Sequence, residues 1–269
     1  MQSLSQFSTD NLKKVKYVLC DIDDTVSTSG RLTAEAYSAL WRLHDNGFVV
    51  IPVTGRPAGW CDHFARMWPV AAIVGENGAF YFRYDPITKT FHKRFVDDVE
   101  TRESNRQQIT KIVEIILGDV PGCALASDQL YREADIAIDF CEDVAPLSAS
   151  DISRIVSLME QHGMTAKVSS IHVNGWIGNY DKLTMTKNLM AEVFDCHIES
   201  EKDKFVFVGD SPNDQPMFHY FPNAVGVANL KNFESQLIHK PTYVTELEAG
   251  SGFVELADAL IAARETGTV

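Results

Sequence analysis

The chain has 269 residues, of which 45% are hydrophobic and 23% are charged, and its formal net charge is −13. This composition is typical of a globular protein with a sizeable core, and the excess of acidic residues argues against a nucleic-acid partner. No apolar run approaches the roughly 18 residues that a membrane-spanning helix needs, so we expect no membrane partner.

The first predicted elements alternate between strand and helix. A buried strand over residues 15–21 leads to a helix from Thr33 to about Asn46, and a second strand covers residues 48–53. Pro57 opens a helix that runs to about Met67, and residues 71–74 form a third strand. This βαβαβ rhythm predicts the α/β fold class with a doubly wound parallel sheet.

The rhythm changes near residue 79 and returns at Lys182. Between these points the pattern predicts an inserted α+β block, whose elements are strands at 79–84, 90–95, 123–127, 135–140, 165–170 and 172–176 and helices at 102–117 and 150–162. The last part continues as a helix over 182–194, a strand over 204–209, a helix near 216–220, strands at 224–227 and 242–244, and a helix over 251–264. We expect a core of residues 1–80 and 180–269 and an inserted domain of residues 81–179, since a domain spans roughly 100–200 residues.

The five cysteines are scattered and include no C-x-x-C pair, which favours free thiols in a reducing compartment. The first ten residues are polar and show no apolar signal region. We therefore expect a cytoplasmic protein.

Closely spaced carboxylates follow the first strand, in Asp21-Ile22-Asp23-Asp24-Thr25. Two carboxylates two residues apart on an extended backbone point to the same side, where they can share a metal ion or divide nucleophile and acid/base roles. The alternative is an acidic turn, because Asp, Thr, Ser and Gly all favour turns and caps.

Three later segments favour the catalytic interpretation. Thr54 follows the second strand, and Lys182 opens the helix after the insert. The predicted strand Phe205–Val208 is followed by Gly209-Asp210-Ser211-Pro212-Asn213-Asp214. The carboxyl ends of parallel strands share one sheet edge, so these segments are expected to converge on one crevice.

The D-x-D-x-T start, the V-T-G-R stretch, the single Lys and the G-D-S-x-N-D signature occur in that order, and together they resemble the haloacid dehalogenase superfamily, most of whose members are phosphatases. The insert between the second and third motifs resembles a type II cap. With the G-D-S-x-N-D form it indicates subfamily IIB, the Cof-like group, which includes sucrose, trehalose and mannosyl-phosphoglycerate phosphatases.

The resemblance implies a role for each motif residue. Asp21 would be the nucleophile that forms an aspartyl-phosphate, and Asp23 would be the general acid and base. Thr54 and Lys182 would bind and neutralise the phosphoryl group. A Mg²⁺ ion would be held by the carboxylates of Asp21, Asp210 and Asp214 and by the backbone carbonyl of Asp23. The candidate phosphate- or substrate-binding residues are Thr25, Gly55, Arg56, Asn77 and Asn213.

Several alternatives stay open at this point. Lys187 competes with Lys182 for the phosphate role, Arg56 could form a salt bridge instead, and Asn77-Gly78 could be a hinge turn. Trp60 and Trp176 could stack on a sugar, although core packing is the simpler interpretation. The cap candidates for the substrate pocket are Ser169, Ser170, His172 and Asn174.

We therefore expect a Mg²⁺-dependent phosphatase acting on a small phosphorylated metabolite, with a sugar phosphate as the first candidate. One alternative is a phosphomutase of the phosphomannomutase type, and another is a catalytically weak phosphate-binding regulatory module. The sequence leaves the oligomeric state open.

Overall fold

The structure, a computed structural model, describes residues 1–266. It confirms the predicted α/β class, with a central parallel sheet and additional antiparallel sheets. In chain order the strands are β1 (Gln2–Ser3), β2 (Tyr17–Cys20), β3 (Val49–Pro52), β4 (Ile73–Gly75), β5 (Phe80–Asp85), β6 (Thr90–Phe95), β7 (Ala124–Leu125), β8 (Ile136–Asp139), β9 (Thr165–Val168), β10 (His172–Trp176), β11 (Phe205–Gly209), β12 (Ala224–Gly226) and β13 (Tyr243–Val244). The α-helices are α1 (Thr9–Lys14), α2 (Ala34–Asp45), α3 (Ala58–Met67), α4 (Val99–Asp119), α5 (Ala149–Gln161), α6 (Lys182–Phe194), α7 (Ile198–Glu201), α8 (Gln215–Tyr220) and α9 (Ala249–Glu265).

The central sheet has the strand order β1-β13-β12-β11-β2-β3, and every pair in it is parallel. Its middle strands are buried on both faces, as parallel sheets covered by helices require. In β2, Val18 and Cys20 face a core formed with α2 and α9, whereas Tyr17 and Leu19 face a second core formed with α6 and α8. The apolar run that predicted this strand is therefore explained by helices on both sides.

Strand β4 connects the central sheet to an antiparallel hairpin. Val53 and Val74 form a single parallel bridge, and β4 then pairs with β5, which pairs with β6. Phe80 and Phe82 of the hairpin pack in one cluster with Phe64 of α3. The division at residues 80 and 180 stays a prediction, and this packing leads us to propose that the inserted unit begins after Phe95.

The inserted unit contains a four-stranded antiparallel sheet of order β7-β8-β10-β9. Ile136, Ile138 and Val173 pack against α4 and α5 on one face. The alternating positions of β8 and β10 present Asp139, His172 and Asn174 on the other face, and His172 and Asn174 line a cavity against the core. The strand period therefore gives this sheet one apolar face and one polar face.

Most predicted elements are present, with boundaries shifted by a few residues. Helix α4 begins three residues earlier than predicted because the Asp98 side chain accepts a hydrogen bond from the Thr101 N–H at 2.8 Å. The short elements β1, α1 and α7 were not predicted. Within residues 1–266 there is no helix long and apolar enough to cross a membrane.

Candidate active site

The candidate catalytic residues follow strands that end at one edge of the central sheet. Cys20 pairs with Val208 on one side and with Pro52 on the other, so β2, β3 and β11 end at similar levels. Asp21, Asp210 and Thr54 follow these three strands. The parallel register therefore brings together residues that are up to 189 positions apart in the sequence.

Asp21, Asp210 and Asp214 are buried together with Lys182, and we call these four residues the edge cluster. One oxygen from each carboxylate lies within 4.8 Å of the others. The Lys182 ammonium donates to Asp21 and to Asp214, each at 2.7 Å. Lys187 is instead half-exposed and pairs with Glu199 at 3.1 Å, so the geometry favours Lys182 for the phosphate role.

The 3₁₀ turn Pro212–Asp214 fixes one side of the edge cluster. Asp214 Oδ2 accepts hydrogen bonds from the N–H groups of Asp210 at 3.2 Å and Ser211 at 3.4 Å. A Cβ atom on Gly209 would lie 2.4 Å from that oxygen, so only glycine fits at this position. The first glycine of the G-D-S-x-N-D signature is therefore explained by the approach of Asp214.

Charge in the edge cluster is only partly compensated by the protein. Burial raises the pKa of Asp21 to about 7, and the Asp214 and Asp23 carboxylates add to the rise while Lys182 opposes it. Burial, with Asp21 and Asp214 nearby, raises the pKa of Asp210 well above its usual range. Three carboxylates and one ammonium group leave a net charge of −2 when all are ionised. A divalent cation fits this deficit, and oxygen donors are the ligands that Mg²⁺ prefers.

Two further residues hold Asp210 in place. Thr25 Oγ1 donates to Asp210 Oδ1 at 3.4 Å, and Asn229 Nδ2 contacts Asp210 Oδ2 at 3.5 Å. Thr25 is fully buried, so it supports a carboxylate here and does not line the cavity between the core and the inserted unit. Asn229 also donates to the backbone carbonyl of Asp24 at 3.0 Å. No sequence motif identified Asn229, because its partners lie more than 200 and about 20 residues away in the chain.

Arg56 forms salt bridges, which is the alternative that the sequence left open. Its Nε and Nη2 donate to the Asp23 carboxylate at 2.7–3.0 Å. Nη1 contacts Asp128 at 3.4 Å, and Nη2 also contacts Glu142 at 3.0 Å. All three guanidinium nitrogens therefore bind carboxylates, and Arg56 links Asp23 of the core to two acids of the inserted unit.

Three buried acids, including Asp128, lie with Arg132 between the core and the inserted unit. We call Glu76, Asp128, Asp135 and Arg132 the interface cluster, and all four are buried. Glu76 accepts hydrogen bonds from the backbone N–H groups of Ala58, Glu133, Ala134 and Asp135. Arg132 donates to Asp135 at 2.8 Å and to the backbone carbonyl of Gly55 at 3.0 Å. Sequence reasoning missed this cluster, although the acid-base spacing of Asp128, Arg132 and Asp135 was a visible signal.

Thr54, Gly55 and Asn77 form the layer under the cavity. Thr54 Oγ1 accepts the Arg56 N–H at 3.0 Å, and Gly55 lines the cavity. Asn77 has a left-handed φ of 54°, and its side chain contacts Asp135 at 3.4 Å and lies close behind Gly55. Asn77 is therefore placed to support the loop and the interface, although the sequence suggested a substrate-binding residue.

The neighbouring Gly78 explains why the Asn-Gly turn is needed. Its φ is 104°, and a Cβ atom there would lie 2.0 Å from the carbonyl oxygen of Asp181. The turn therefore packs directly on the residue that caps the helix of Lys182.

A narrow cavity separates the edge cluster from the inserted unit. Its volume is about 20 Å³, which suits about one water molecule, so the inserted unit is closed over the site. Asp21, Asp23, Ser211 and Asn213 line it from the core, and Ser169, Ser170, His172, Asn174 and Arg132 line it from the other side. All four predicted cap residues therefore face the site.

The two tryptophans have different surroundings. Trp176 is 1% exposed and stacks on Tyr180 at 5.6 Å, which agrees with the core-packing interpretation. Trp60 is partly exposed, and the Arg56 guanidinium lies 4.5 Å from its ring centroid.

Comparison with known proteins gives consistent matches. The model of the haloacid dehalogenase-like hydrolases matches residues 18–137, which include the first two motifs. A phosphoglycolate phosphatase from Methanosarcina mazei is 24% identical over 256 residues, covering 92% of this chain and 97% of that protein.

Solved structures show the same fold. A protein from Plasmodium vivax, provisionally assigned to the HAD/COF-like hydrolases, superposes with a TM-score of 0.68 at 17% identity, covering 95% of this chain and 99% of its own. The sucrose-phosphatase of Synechocystis sp. PCC6803, solved with sucrose and phosphate, gives a TM-score of 0.62 at 16% identity, covering 92% and 98%. At these identities the structures support the fold and not the substrate.

Proposed function

Because this chain belongs to the haloacid dehalogenase superfamily, in its Cof-like subfamily IIB, and is a phosphatase, we propose that it hydrolyses small phosphorylated metabolites with the help of Mg²⁺. Sugar phosphates are the first candidates. The observation that carries the proposal is the edge cluster beside Asp23, in which three buried carboxylates lie together and one lysine donates to two of them.

The carboxylates of Asp21, Asp210 and Asp214 would hold the Mg²⁺ ion, and the backbone carbonyl of Asp23 is the fourth proposed ligand. When bound, the ion supplies Lewis-acid stabilisation of negative charge on the phosphoryl oxygens. Lys182 is placed to neutralise part of the same charge, since its ammonium group already lies between Asp21 and Asp214.

In the first step, a carboxylate oxygen of Asp21 attacks phosphorus, and the bond from phosphorus to the leaving oxygen breaks. Asp23 gives its proton to that oxygen, so the product leaves as an alcohol. In the second step, Asp23 takes a proton from water, whose oxygen attacks phosphorus and releases inorganic phosphate and the Asp21 carboxylate. Arg56 Nε and Nη2 donate to the Asp23 carboxylate and so hold it in a fixed position beside Asp21.

The inserted unit would act as a cap that excludes bulk water and contacts the leaving group. Its loop and strand residues Ser169, Ser170, His172 and Asn174 already face the small cavity. Because the cavity holds about one water molecule in this state, admission of a phosphate requires the cap residues to move. The cytoplasmic location expected from the cysteines stays a prediction.

Replacement of the nucleophile tests the proposal. We expect Asp21→Asn to lower kcat on p-nitrophenyl phosphate by at least about 10⁴-fold, because the covalent route is lost. Asp258→Asn makes the same change at an exposed surface pair and should keep the parental rate. Rapid acid quenching of the parental enzyme should trap one phosphoryl group per chain on the peptide that contains Asp21, detected by mass spectrometry.

Two results would overturn the proposal. One is parental turnover by Asp21→Asn, and the other is turnover that survives removal of divalent cations with a chelator. Incubation with a hexose 1-phosphate separates hydrolysis from the phosphomutase alternative, because hydrolysis releases inorganic phosphate and a mutase produces the hexose 6-phosphate.

A further inference from the structure

A second cavity adjoins the narrow one and has a volume of about 260 Å³. Both cavities are lined by Asp23, Arg56, Ser170 and Ile171, so they meet at the Asp23–Arg56 pair. The proposed function assigns Asp23 to protonate the leaving oxygen. A leaving group on that side of the phosphorus atom would therefore extend into the larger cavity.

The charged groups that line the larger cavity are mostly acidic. Asp23, Asp24 and Glu142 contribute carboxylates, and Arg56 is the cation among the lining residues that the structure describes. Every guanidinium nitrogen of Arg56 already binds a carboxylate of Asp23, Asp128 or Glu142. The positive charge of Arg56 is therefore already shared among three acids, and the wall keeps an excess of negative charge.

Glu142 is held in place by the fold. The Asp139 carboxylate, at the end of β8, accepts hydrogen bonds from the N–H groups of Cys141, Glu142 and Asp143 at 2.8–2.9 Å. This wrapped loop presents Glu142 to its two partners, with Oε1 3.0 Å from Arg56 Nη2 and Oε2 2.9 Å from His172 Nε2. The close approach of His172 Nε2 is the main reason that the pKa of Glu142 falls to about 2, so this carboxylate is ionised at neutral pH.

We propose that Glu142 is a specificity-determining residue that excludes leaving groups bearing a carboxylate, so that the enzyme selects phosphomonoesters of neutral polyhydroxyl or amine-bearing compounds. This inference rests on the proposed phosphatase function. The physical reason is repulsion between like charges that are partly removed from water, which discriminates strongly between partners. It also separates this chain from its relative from Methanosarcina mazei, whose name specifies a phosphorylated carboxylic acid.

Three six-carbon probes test the inference. Sorbitol 6-phosphate and 6-phosphogluconate share an open chain, which is neutral in the first and carries a carboxylate in the second, and glucosamine 6-phosphate carries an amine. We expect kcat/KM for 6-phosphogluconate to be at least about 30-fold lower than for the better of the other two, measured by phosphate release with Mg²⁺. A ratio below about threefold, or activity on p-nitrophenyl phosphate without activity on either of those two, would overturn the inference and leave the phosphatase function standing.

Variants then assign the effect to charge. Glu142→Gln should raise kcat/KM for 6-phosphogluconate, relative to the better of the other two probes, at least about fivefold, because one repelling charge is removed. Glu142→Asp loosens the same contacts but keeps the charge. Its ratio of kcat/KM values should therefore stay closer to the wild-type ratio than to that of Glu142→Gln. Glu114→Gln makes the identical change on the exposed face of α4 and should alter neither rate nor ratio.

Equal shifts in Glu142→Gln and Glu142→Asp, or no shift in Glu142→Gln, would contradict a charge-based role for Glu142. Failure of the wild-type enzyme on all three probes and on p-nitrophenyl phosphate would contradict the proposed function itself, and the inference would fall with it.

Discussion

Two groups of buried carboxylates occur in this fold, and they are compensated in different ways. In the interface cluster, Glu76 accepts from four backbone N–H groups, and Asp135 binds Arg132 at 2.8 Å. In the edge cluster, Lys182 donates to Asp21 and Asp214, and Asp210 has side-chain contacts of only 3.4 and 3.5 Å. Burial raises the pKa of Asp135 to about 8 and that of Asp21 to about 7, so the cost of burial is present in both clusters.

From this difference we propose a structural role for the interface cluster and a chemical role for the edge cluster. At the interface the chain itself supplies donors for each buried acid, and the result fixes the inserted unit against the loop of Thr54 to Arg56. At the sheet edge two acids depend on one lysine and Asp210 has only two long contacts, an arrangement that a divalent cation would complete. Structural networks of acids also shift pKa values. The lack of close partners for the acids at the sheet edge is therefore more informative than the pKa shifts themselves.

After replacement of the nucleophile, the largest effect is expected at Lys182, because it is the single cation of the edge cluster. We expect Lys182→Met to lower kcat/KM by about 10²–10³-fold, since charge on the transferring phosphoryl group is no longer neutralised. Lys187→Met removes a surface lysine from the same helix and should stay close to wild type. Similar losses in both variants, measured with Mg²⁺ in excess, would show that the position of Lys182 is unimportant.

The sequence predicted the edge cluster better than the interface cluster, for a physical reason. Asp21, Thr54, Lys182 and Asp210 each lie at the end of a periodic element, so the pattern that located the element also located the residue. Glu76 has backbone partners far away in the chain, and side-chain identity carries no signal for such a contact. The boundary between core and insert is hard to predict from the sequence for a related reason. The hairpin β5–β6 has a strand pattern whichever sheet it joins.

Glu76→Gln tests the structural role of the interface cluster. A neutral amide oxygen cannot serve all four backbone donors, and each buried donor without an acceptor costs about 1–3 kcal/mol. We expect a loss of roughly 3 kcal/mol in the free energy of unfolding, measured with urea, and a change in kcat of less than about tenfold at temperatures where the variant stays folded.

The matched control is Glu133→Gln, an exposed change in the segment whose backbone N–H groups bind Glu76, which should cost less than about 0.5 kcal/mol. If Glu76→Gln instead abolished turnover without loss of stability, the interface cluster would be part of the catalytic machinery.

Mg²⁺ should stabilise the protein through the edge cluster alone. At a free concentration of 100 times Kd, binding to the folded state adds about 2.7 kcal/mol, which corresponds to a rise in Tm of roughly 5–10 °C for a chain of this size. Asp210→Asn should lose most of this Mg²⁺-dependent rise in Tm. Glu76→Gln should show the full rise, although its Tm without Mg²⁺ is lower than that of the wild type. Sodium chloride at equal ionic strength is the control, and an equal rise in Asp210→Asn would place the cation elsewhere.

The smallest effect is expected at Glu142, whose negative charge is balanced by two side chains, Arg56 and His172. Its pKa is lowered by His172 to about 2 from an ordinary value near 4.5, so its contribution to stability is complete above pH 4.5 and is lost as pH falls through about 2. Because the side chain is 27% exposed, we expect Glu142→Gln to cost less than about 1 kcal/mol at pH 7. In urea unfolding, the difference from wild type should shrink between pH 5 and pH 3. A difference that grows over that range would mean that the pair with His172 does not stabilise the ionised form, and Glu142 would then resemble the uncompensated acids of the sheet edge.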